Sequence, residues 1–285
     1  MLFNPFAPIY QWQLSTTNAR PASAYGTTVT PAQNSKGTYA ELIDGALVTE
    51  DVWGIYINVN SGDFAAEARC TLLDIGIDEA AGTSYSVVIP DLFCACSGDF
   101  ITNGLTHMGI HYFFPLFIKA GSSIAARASV EAATVRTLRC WATLFGRPRN
   151  PEVTPVGHSV TAYGVTAATS SGTTITPGTT SEGAWTTLGT TTKDHWYWQQ
   201  GFGISDATMN TFSYFVDLSA GDATTQRLLL ENQMWTTDSG ERTANRLLMA
   251  QRYGHVKSGE TIQGRAQCDG TLDDGTYSMI AYGLN

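Results

Sequence analysis

Two long stretches of this 285-residue chain repeat each other in order, and that repetition limits the possible fold more than any other property of the sequence. Gly26-Thr-Thr-Val-Thr-Pro31 returns as Gly172-Thr-Thr-Ile-Thr-Pro177, and Gly37-Thr-Tyr-Ala-Glu-Leu42 returns as Gly183-Ala-Trp-Thr-Thr-Leu188, both 146 residues later. Near the end of each copy, Lys119-Ala-Gly-Ser-Ser-Ile-Ala-Ala-Arg127 pairs with Lys257-Ser-Gly-Glu-Thr-Ile-Gln-Gly-Arg265 at an offset of 138, and Leu144-Phe-Gly146 pairs with Ala281-Tyr-Gly283 at 137. Ordered matches with a drifting offset indicate duplication followed by changes in loop length. A period this long is a whole domain rather than a solenoid unit. No residue set typical of catalysis is repeated with it.

Alternation sets the fold class. In Trp53-Gly-Ile-Tyr-Ile-Asn-Val-Asn60 the residues Trp53, Ile55, Ile57 and Val59 share one face, and Ile124, Ala126, Ala128 and Val130 do the same in a later run. The second copy keeps that register, with Ile262, Gly264, Ala266 and Cys268 inward. Turn signals such as Ser61-Gly, Ala81-Gly, Asn103-Gly and Asp274-Gly punctuate the runs. An all-β chain of two tandem antiparallel β-sandwiches, jelly-roll-like and arising from an internal duplication, is predicted. The stretches 63–69 and 241–252 contain good helix formers but are read as a short turn and as loop plus strand. Residues 1–20 are read as an N-terminal docking arm without a counterpart, 21–146 as the first sandwich, 147–158 as a Pro-rich stiff connector and 159–285 as the second sandwich.

Composition narrows the partners. Only 14% of residues are charged, against a usual share of about a quarter, which starves the surface of charge and favours association with neighbours. The net charge of −9 argues against nucleic-acid binding. The N-terminus lacks the basic and apolar regions of a secretory signal, and no apolar run is long enough for a spanning helix, so no membrane insertion is expected. Five cysteines, Cys70, Cys94, Cys96, Cys140 and Cys268, lack CxxC spacing and suit thiols in a reducing cytoplasm.

Chemistry is sparse. Cys94 and Cys96 have no second metal-ligand pair, and His107 and His111 on a strand would lie about 13 Å apart, too far to share a metal. Asp74, Asp78, Glu79 and Asp91 could be imagined as glycosidase carboxylates, but Asp74 has a counterpart in Asp217, which marks a structural position. The stretch Asp269–Gly275 lacks a complete calcium-loop pattern and reads as a turn. No catalytic, cofactor-binding or metal residues are assigned. The arm carries Phe3, Phe6, Tyr10 and Trp12 and is expected to contact a partner. In His195-Trp-Tyr-Trp198, Trp196 and Trp198 should face the core, leaving Tyr197 as an outward contact residue.

The segment Tyr112–Arg127, Tyr-Phe-Phe-Pro-Leu-Phe-Ile-Lys-Ala-Gly-Ser-Ser-Ile-Ala-Ala-Arg, with Leu138-Arg-Cys-Trp-Ala-Thr-Leu-Phe-Gly146 after it, resembles late jelly-roll strands in virion proteins of tailed bacteriophages. The resemblance implies a non-enzymatic structural protein of the virion, made in the bacterial host cytoplasm, in the tail, at the neck or decorating the head. Its expected partners are itself, in a symmetric oligomer such as a trimer or ring, and other capsid or tail subunits. The alternative is a host-glycan-binding or receptor-binding component, with Tyr197, Trp185 and Tyr39 as stacking residues.

Overall fold

A computed structural model describes residues 12–16, 26–61, 69–96, 110–130, 137–165, 172–204, 213–221, 225–236, 252–268 and 277–285. In the first half the strands are β1 (Gln13–Ser15), β2 (Thr27–Val29), β3 (Ala32–Gln33), β4 (Ala40–Ile43), β5 (Gly54–Ser61), β6 (Arg69–Asp78), β7 (Ser86–Cys96), β8 (Ile110–Phe114), β9 (Ser123–Val130) and β10 (Leu138–Phe145). The second half contains β11 (Val160–Tyr163), β12 (Thr173–Ile175), β13 (Thr186–Thr190), β14 (His195–Ile204), β15 (Ser213–Ala220), β16 (Arg227–Thr236), β17 (Arg252–Val256), β18 (Thr261–Cys268) and β19 (Tyr277–Leu284).

Each half is a jelly roll. In domain 1 one sheet runs from β1 and β2, both on β10, to β5 and β8, and the facing sheet runs from β3 and β4, both on β9, to β6 and β7. Domain 2 repeats the plan, with β11 and β12 on β19, then β14 and β17, facing β13-β18-β15-β16. The first strand thus lies beside the last, as in a rolled-up set of antiparallel hairpins. Of the two stretches that compete as helix, 63–69 and 241–252, all but the last residue of each lies outside the described residues, and those last residues, Arg69 and Arg252, begin β6 and β17.

Hydrogen-bond register measures the duplication more finely than the sequence does. Val29 pairs with Leu138, and Ile175 pairs with Tyr277. Gly26 and Gly172 precede these strands with φ of 72° and 102°, where a side chain would be strained and, at Gly26, would meet the Cys140 carbonyl. The last strands therefore correspond at an offset of 139, and Leu144 stands where Gly283 does. The 144–146 to 281–283 match is out of register by two residues. A slip of two leaves every side chain on the same face of a strand, so hydrophobic pattern alone does not reveal it.

The N-terminal boundary also shifts. Gln13 pairs with Phe145 as Val160 pairs with Leu284, so β1 is the first strand of domain 1 and has its counterpart in β11. The backbone agrees: Gly146 N–H donates to the Trp12 carbonyl at 2.8 Å, and Asn285 N–H to that of Ser159 at 3.1 Å. The stiff connector is also tied to domain 1. Around Gly157 it is clamped to the end of β8, with Phe117 N–H donating to Gly157 and Gly157 N–H to Pro115, each at 2.8 Å.

The inner faces build two cores. Domain 2 packs Trp198, Phe202, Tyr214, Val216, Leu218 and Met279 around its own centre. The core of domain 1, centred on Ile55, Ile57, Leu73, Ile75, Phe114 and Ala142, does not stop at the domain boundary. It continues into Val160, Tyr197, Ile280, Tyr282 and Leu284, which belong to domain 2. Tyr197 and Tyr282 are both 0% exposed there. A buried tyrosine removes roughly 150–250 Å² from water, worth about 4–6 kcal/mol as an upper bound.

Hydrogen bonds aim this junction. The Tyr282 hydroxyl accepts from Phe93 N–H at 2.7 Å and donates to the Asp91 carbonyl at 2.9 Å, while Tyr112 donates to the Phe93 carbonyl at 2.7 Å. Tyr197 donates to the Phe113 carbonyl at 2.6 Å, and Gln199 donates to the same oxygen. Removing the Tyr282 hydroxyl strands the buried Phe93 N–H and the part-buried Asp91 carbonyl. Tyr282→Phe should therefore lower unfolding free energy by roughly 1–3 kcal/mol in denaturant titration, although it deletes one atom.

Candidate functional site

Asp74, Asp91 and Arg127 in domain 1, and Asp217 and Arg265 in domain 2, come together on the outer face of one sheet in each domain. In domain 1, Asp74 Oδ2 accepts from Arg127 Nε at 3.0 Å, while Lys36 Nζ lies 2.7 Å from both Asp74 Oδ1 and Asp91 Oδ1. Asp91 has φ of 52°, a left-handed conformation that Asp and Asn tolerate better than most residues. That turn of the backbone aims its own N–H at Asp74 Oδ1, 3.0 Å away. Arg127 in turn lies over the Tyr39 ring, 4.7 Å from its centroid.

Domain 2 rebuilds the cluster with two exchanges. Arg265 binds Asp217 Oδ2 through Nε at 2.9 Å, and Asn232, with φ of 50°, donates its N–H to Asp217 Oδ1 at 2.6 Å. Trp185 takes the place of Tyr39, with Arg265 4.3 Å from its centroid. At the repeat offset of 146, Lys36 becomes Glu182, whose carboxylate binds Arg265. Asp91 becomes Asn232. Burial and the nearby Asp217 push the Glu182 carboxyl above its usual range. The offset was readable in the sequence and would have paired Glu182 with Lys36, but nothing there showed that Asn232 faces the same cluster.

Catalysis finds little free equipment here. Asp74, Asp91 and Asp217 are tied to cations or backbone N–H groups. Asp78 accepts from Ala80 N–H at 2.9 Å and Ser84 N–H at 2.7 Å, and these bonds lower its pKa. Only Glu79 is exposed, at the rim of an open depression of about 650 Å³ that Asp78, Phe117, Lys119 and His158 also line. Among the described residues no group of three or more His, Cys, Asp or Glu side chains is placed to hold a metal ion. Cys94 is buried and its thiol faces the Leu92 carbonyl, while the calcium-loop candidate 269–275 and His107 lie outside the described residues.

The aromatic contact residues divide. Phe3, Phe6 and Tyr10 lie outside the described residues. Trp12 is half-buried against the core of its own first domain. Tyr197 does leave the core of its own sandwich, as alternation requires, but it does not face outward: domain 1 covers it completely. Trp198 is the core tryptophan, whereas Trp196 is only partly buried against the junction. Tyr39 and Trp185 each have one ring face occupied by an arginine.

His195 was not singled out as a site, yet it is 0% exposed and lies 2.6 Å, Nε2 to hydroxyl, from Tyr163. It occupies the position of Val52, since Val52 pairs with Ile118 and His195 with Val256. Burial lowers its pKa to about 4. Unfolded chains take up this proton below pH of roughly 6.5 and the folded chain does not.

Large apolar side chains remain uncovered on domain 2. Phe215 and Met234 are register partners on β15 and β16, beside Asp217 and Asn232, and are 40% and 61% exposed. Periodicity did not reveal them, because an outward Phe on a strand reads like any other alternating residue.

The chain is thus a tandem jelly-roll protein with a buried junction and a polar clamp repeated in each half. No family model matches it, and no curated protein matches it. Among solved structures it is similar to PNGF-II, at 9% identity and a TM-score of 0.38 over 95% of this chain and 65% of that one, so it spans about two thirds of that protein's length. It is also similar to PNGase F from Flavobacterium meningosepticum, a glycosylasparaginase, at 10% identity and a TM-score of 0.33 over 96% of both chains. The STIV MCP, a viral capsid protein, matches at 7% identity and a TM-score of 0.34, again over 96% of both chains. These likenesses are of β-sandwich architecture and transfer no functional residue.

Two outcomes follow for this region. Asp74→Asn frees Lys36 and Arg127 from their common carboxylate and should cost about 2–3 kcal/mol, less than a fully buried pair because Arg127 is partly solvated. Its readout is chemical denaturation. For His195, stability should fall as pH drops from about 6.5 towards 4, by at most ~1.4 kcal/mol per pH unit, and be insensitive to this group above that window. His195→Val, which restores the residue of the first copy, should flatten that part of a melting-temperature profile against pH.

Proposed function

We propose that this chain is a non-enzymatic structural protein of a viral particle, a phage coat, decoration or tail component, that works by self-association in a symmetric oligomer. The observation that carries the reading is the junction. One jelly roll receives the outer sheet face of another, through buried Tyr197 and Tyr282. A duplicated domain that already seats a copy of its own fold is suited to tiling, because one chain can bridge two similar neighbours.

Several further features fit. Three of the four carboxylates considered for a hydrolase, Asp74, Asp78 and Asp91, are bound to arginine, lysine or backbone N–H. Charge is scarce over the whole chain, at 14% of residues, as suits a protein flanked by neighbours. Among the described residues no helix is long and apolar enough to cross a membrane. The sequence resemblance of 112–127 and 138–146 to jelly-roll strands of phage virion proteins supplies the viral context. Glycan recognition is the second reading, and it would need aromatic faces other than Tyr197 and the arginine-covered sides of Tyr39 and Trp185.

Electron microscopy and mass spectrometry of purified parent particles test the proposal: the chain should be a stoichiometric component in symmetric array. Its absence from particles, or a purified chain that stays monomeric at high concentration in light scattering, would overturn it. Removing residues 2–11 spares Trp12 and β1 and should weaken attachment to the particle without unfolding domain 1. Binding on a glycan array would favour the second reading.

A further inference from the structure

The sheet face by which domain 2 grips domain 1 has a sister on domain 1, and the sister has changed character. Hydrogen-bond register defines the match: Leu284 pairs with Val160 and Tyr197 as Phe145 pairs with Gln13 and Gly54. Likewise Tyr282 pairs with Gln199 as Thr143 does with Tyr56, and Ile280 pairs with Gly201 as Trp141 does with Asn58. Both anchors are thus lost, Tyr197 becoming Gly54 and Tyr282 becoming Thr143. The aliphatic residues Val160, Ile280 and Leu284, all buried in the junction, become Gln13, Trp141 and Phe145. Gly201, where a Cβ would lie 2.7 Å from that of Phe93, becomes Asn58. The outer face of β5, β8 and β10 therefore cannot seat a jelly roll as its sister does.

What stands there instead is a row of rings fringed by hydrogen-bonding groups. The Tyr56 and His111 rings stack with centroids 5.6 Å apart, the Tyr56 hydroxyl meets His111 Nδ1, and Asn58 Nδ2 lies 3.0 Å from the same nitrogen. Phe113 and Phe145 meet edge to face at 5.9 Å, and Trp141 Nε1 donates to Thr143 Oγ1 at 3.3 Å. These contacts hold the rings in place, so little side-chain freedom is lost when a ligand covers them. Tyr56, Asn58, His111, Arg139, Trp141 and Phe145 are all partly exposed. No Val, Leu, Ile or Met stands at the outward positions of β1, β2, β5, β8 and β10. Arg139 is the only charged residue in those five strands, in a chain of net charge −9.

We infer that this face binds an acidic polysaccharide. A sugar ring has an apolar C–H face and a rim of hydroxyls, so it lies flat on an aromatic ring and hydrogen-bonds to the polar groups around it, here Asn58, His111 and Arg139. Trp141 and Phe145, four residues apart on β10, are separated by about 13 Å at 3.3 Å per residue, room for a chain of sugars rather than one. Arg139, oriented by its bond to Thr28, pairs with a uronate or similar carboxylate, and no Asp or Glu in these strands opposes it. A protein partner would call for the aliphatic residues that the sister face keeps and this face has lost. The inference rests on the glycan reading given above, to which it adds a site and a ligand class, and it is independent of self-association.

Isothermal titration calorimetry of the full chain tests it, with polygalacturonate, hyaluronan and polysialate as acidic probes and dextran and cello-oligosaccharides as neutral ones. At least one acidic probe should bind, more weakly as salt rises, and the neutral ones should not. Trp141→Ala should weaken that binding roughly tenfold or more, and Arg139→Gln, a change at a partly exposed side chain that leaves the sheet intact, should weaken it too. If an acidic probe binds and neither substitution changes its affinity, this inference fails and the glycan reading stands. If the neutral probes bind as tightly as the acidic ones, the ligand class is wrong. If no probe binds, the inference fails, and the glycan reading fails with it only when a full glycan array is blank as well. Loss of the oligomer in Arg139→Gln without any glycan binding would mark the face as a protein contact instead.

Discussion

The seating of Tyr282 on β7 is the contact on which the arrangement of the whole chain depends. One hydroxyl satisfies a backbone donor and a backbone acceptor of the other domain, two residues apart, and so fixes both the distance and the register between two sheets. A purely apolar junction would resist separation but tolerate sliding; paired hydrogen bonds to a strand do not. The neighbouring bonds from Tyr197 and Gln199 to Phe113, and the clamp at Gly157, close the same joint from the β8 side. The chain therefore behaves as a single building block with two related faces rather than as beads on a linker.

Within each roll, the polar clamp does the corresponding work between strands. A register shift in β6 against β7, and in β15 against β16, turns the residue at 91 or 232 into the left-handed region. The freed N–H then finds a carboxylate that an arginine from the next strand already holds. A bulge of this kind would otherwise leave a backbone donor without its ladder partner. Strain, hydrogen bond and ion pair are mutually dependent, which explains why the aspartate, the arginine and the stacked aromatic ring recur together.

Fold class, duplication and the inward faces of the strands were legible in the sequence because they depend on a period of two and on local turn residues. Trp53 with Trp196, Asp74 with Asp217 and Arg127 with Arg265 were paired correctly from ordered matches. The last strand was misaligned by two residues because Gly283 follows aromatic residues as Gly146 does, and only hydrogen-bond partners distinguish the two registers. Tyr197 was placed on the right face of its strand and given the wrong neighbour. What covers an outward face is decided by a chain segment about a hundred residues away, and no local pattern carries that information. The same holds for β1, whose three residues have meaning only beside β10.

The exchange of Lys36 and Asp91 for Glu182 and Asn232 constrains the history of the two halves. With lysine and aspartate the cluster is neutral, and with glutamate and asparagine it carries one excess negative charge. Between these lie two single-step intermediates. Glutamate with aspartate would crowd three carboxylates around one arginine, whereas lysine with asparagine leaves one extra cation that water can solvate. Of the two, lysine with asparagine leaves the smaller uncompensated charge, so it is the electrostatically easier route between the two clusters.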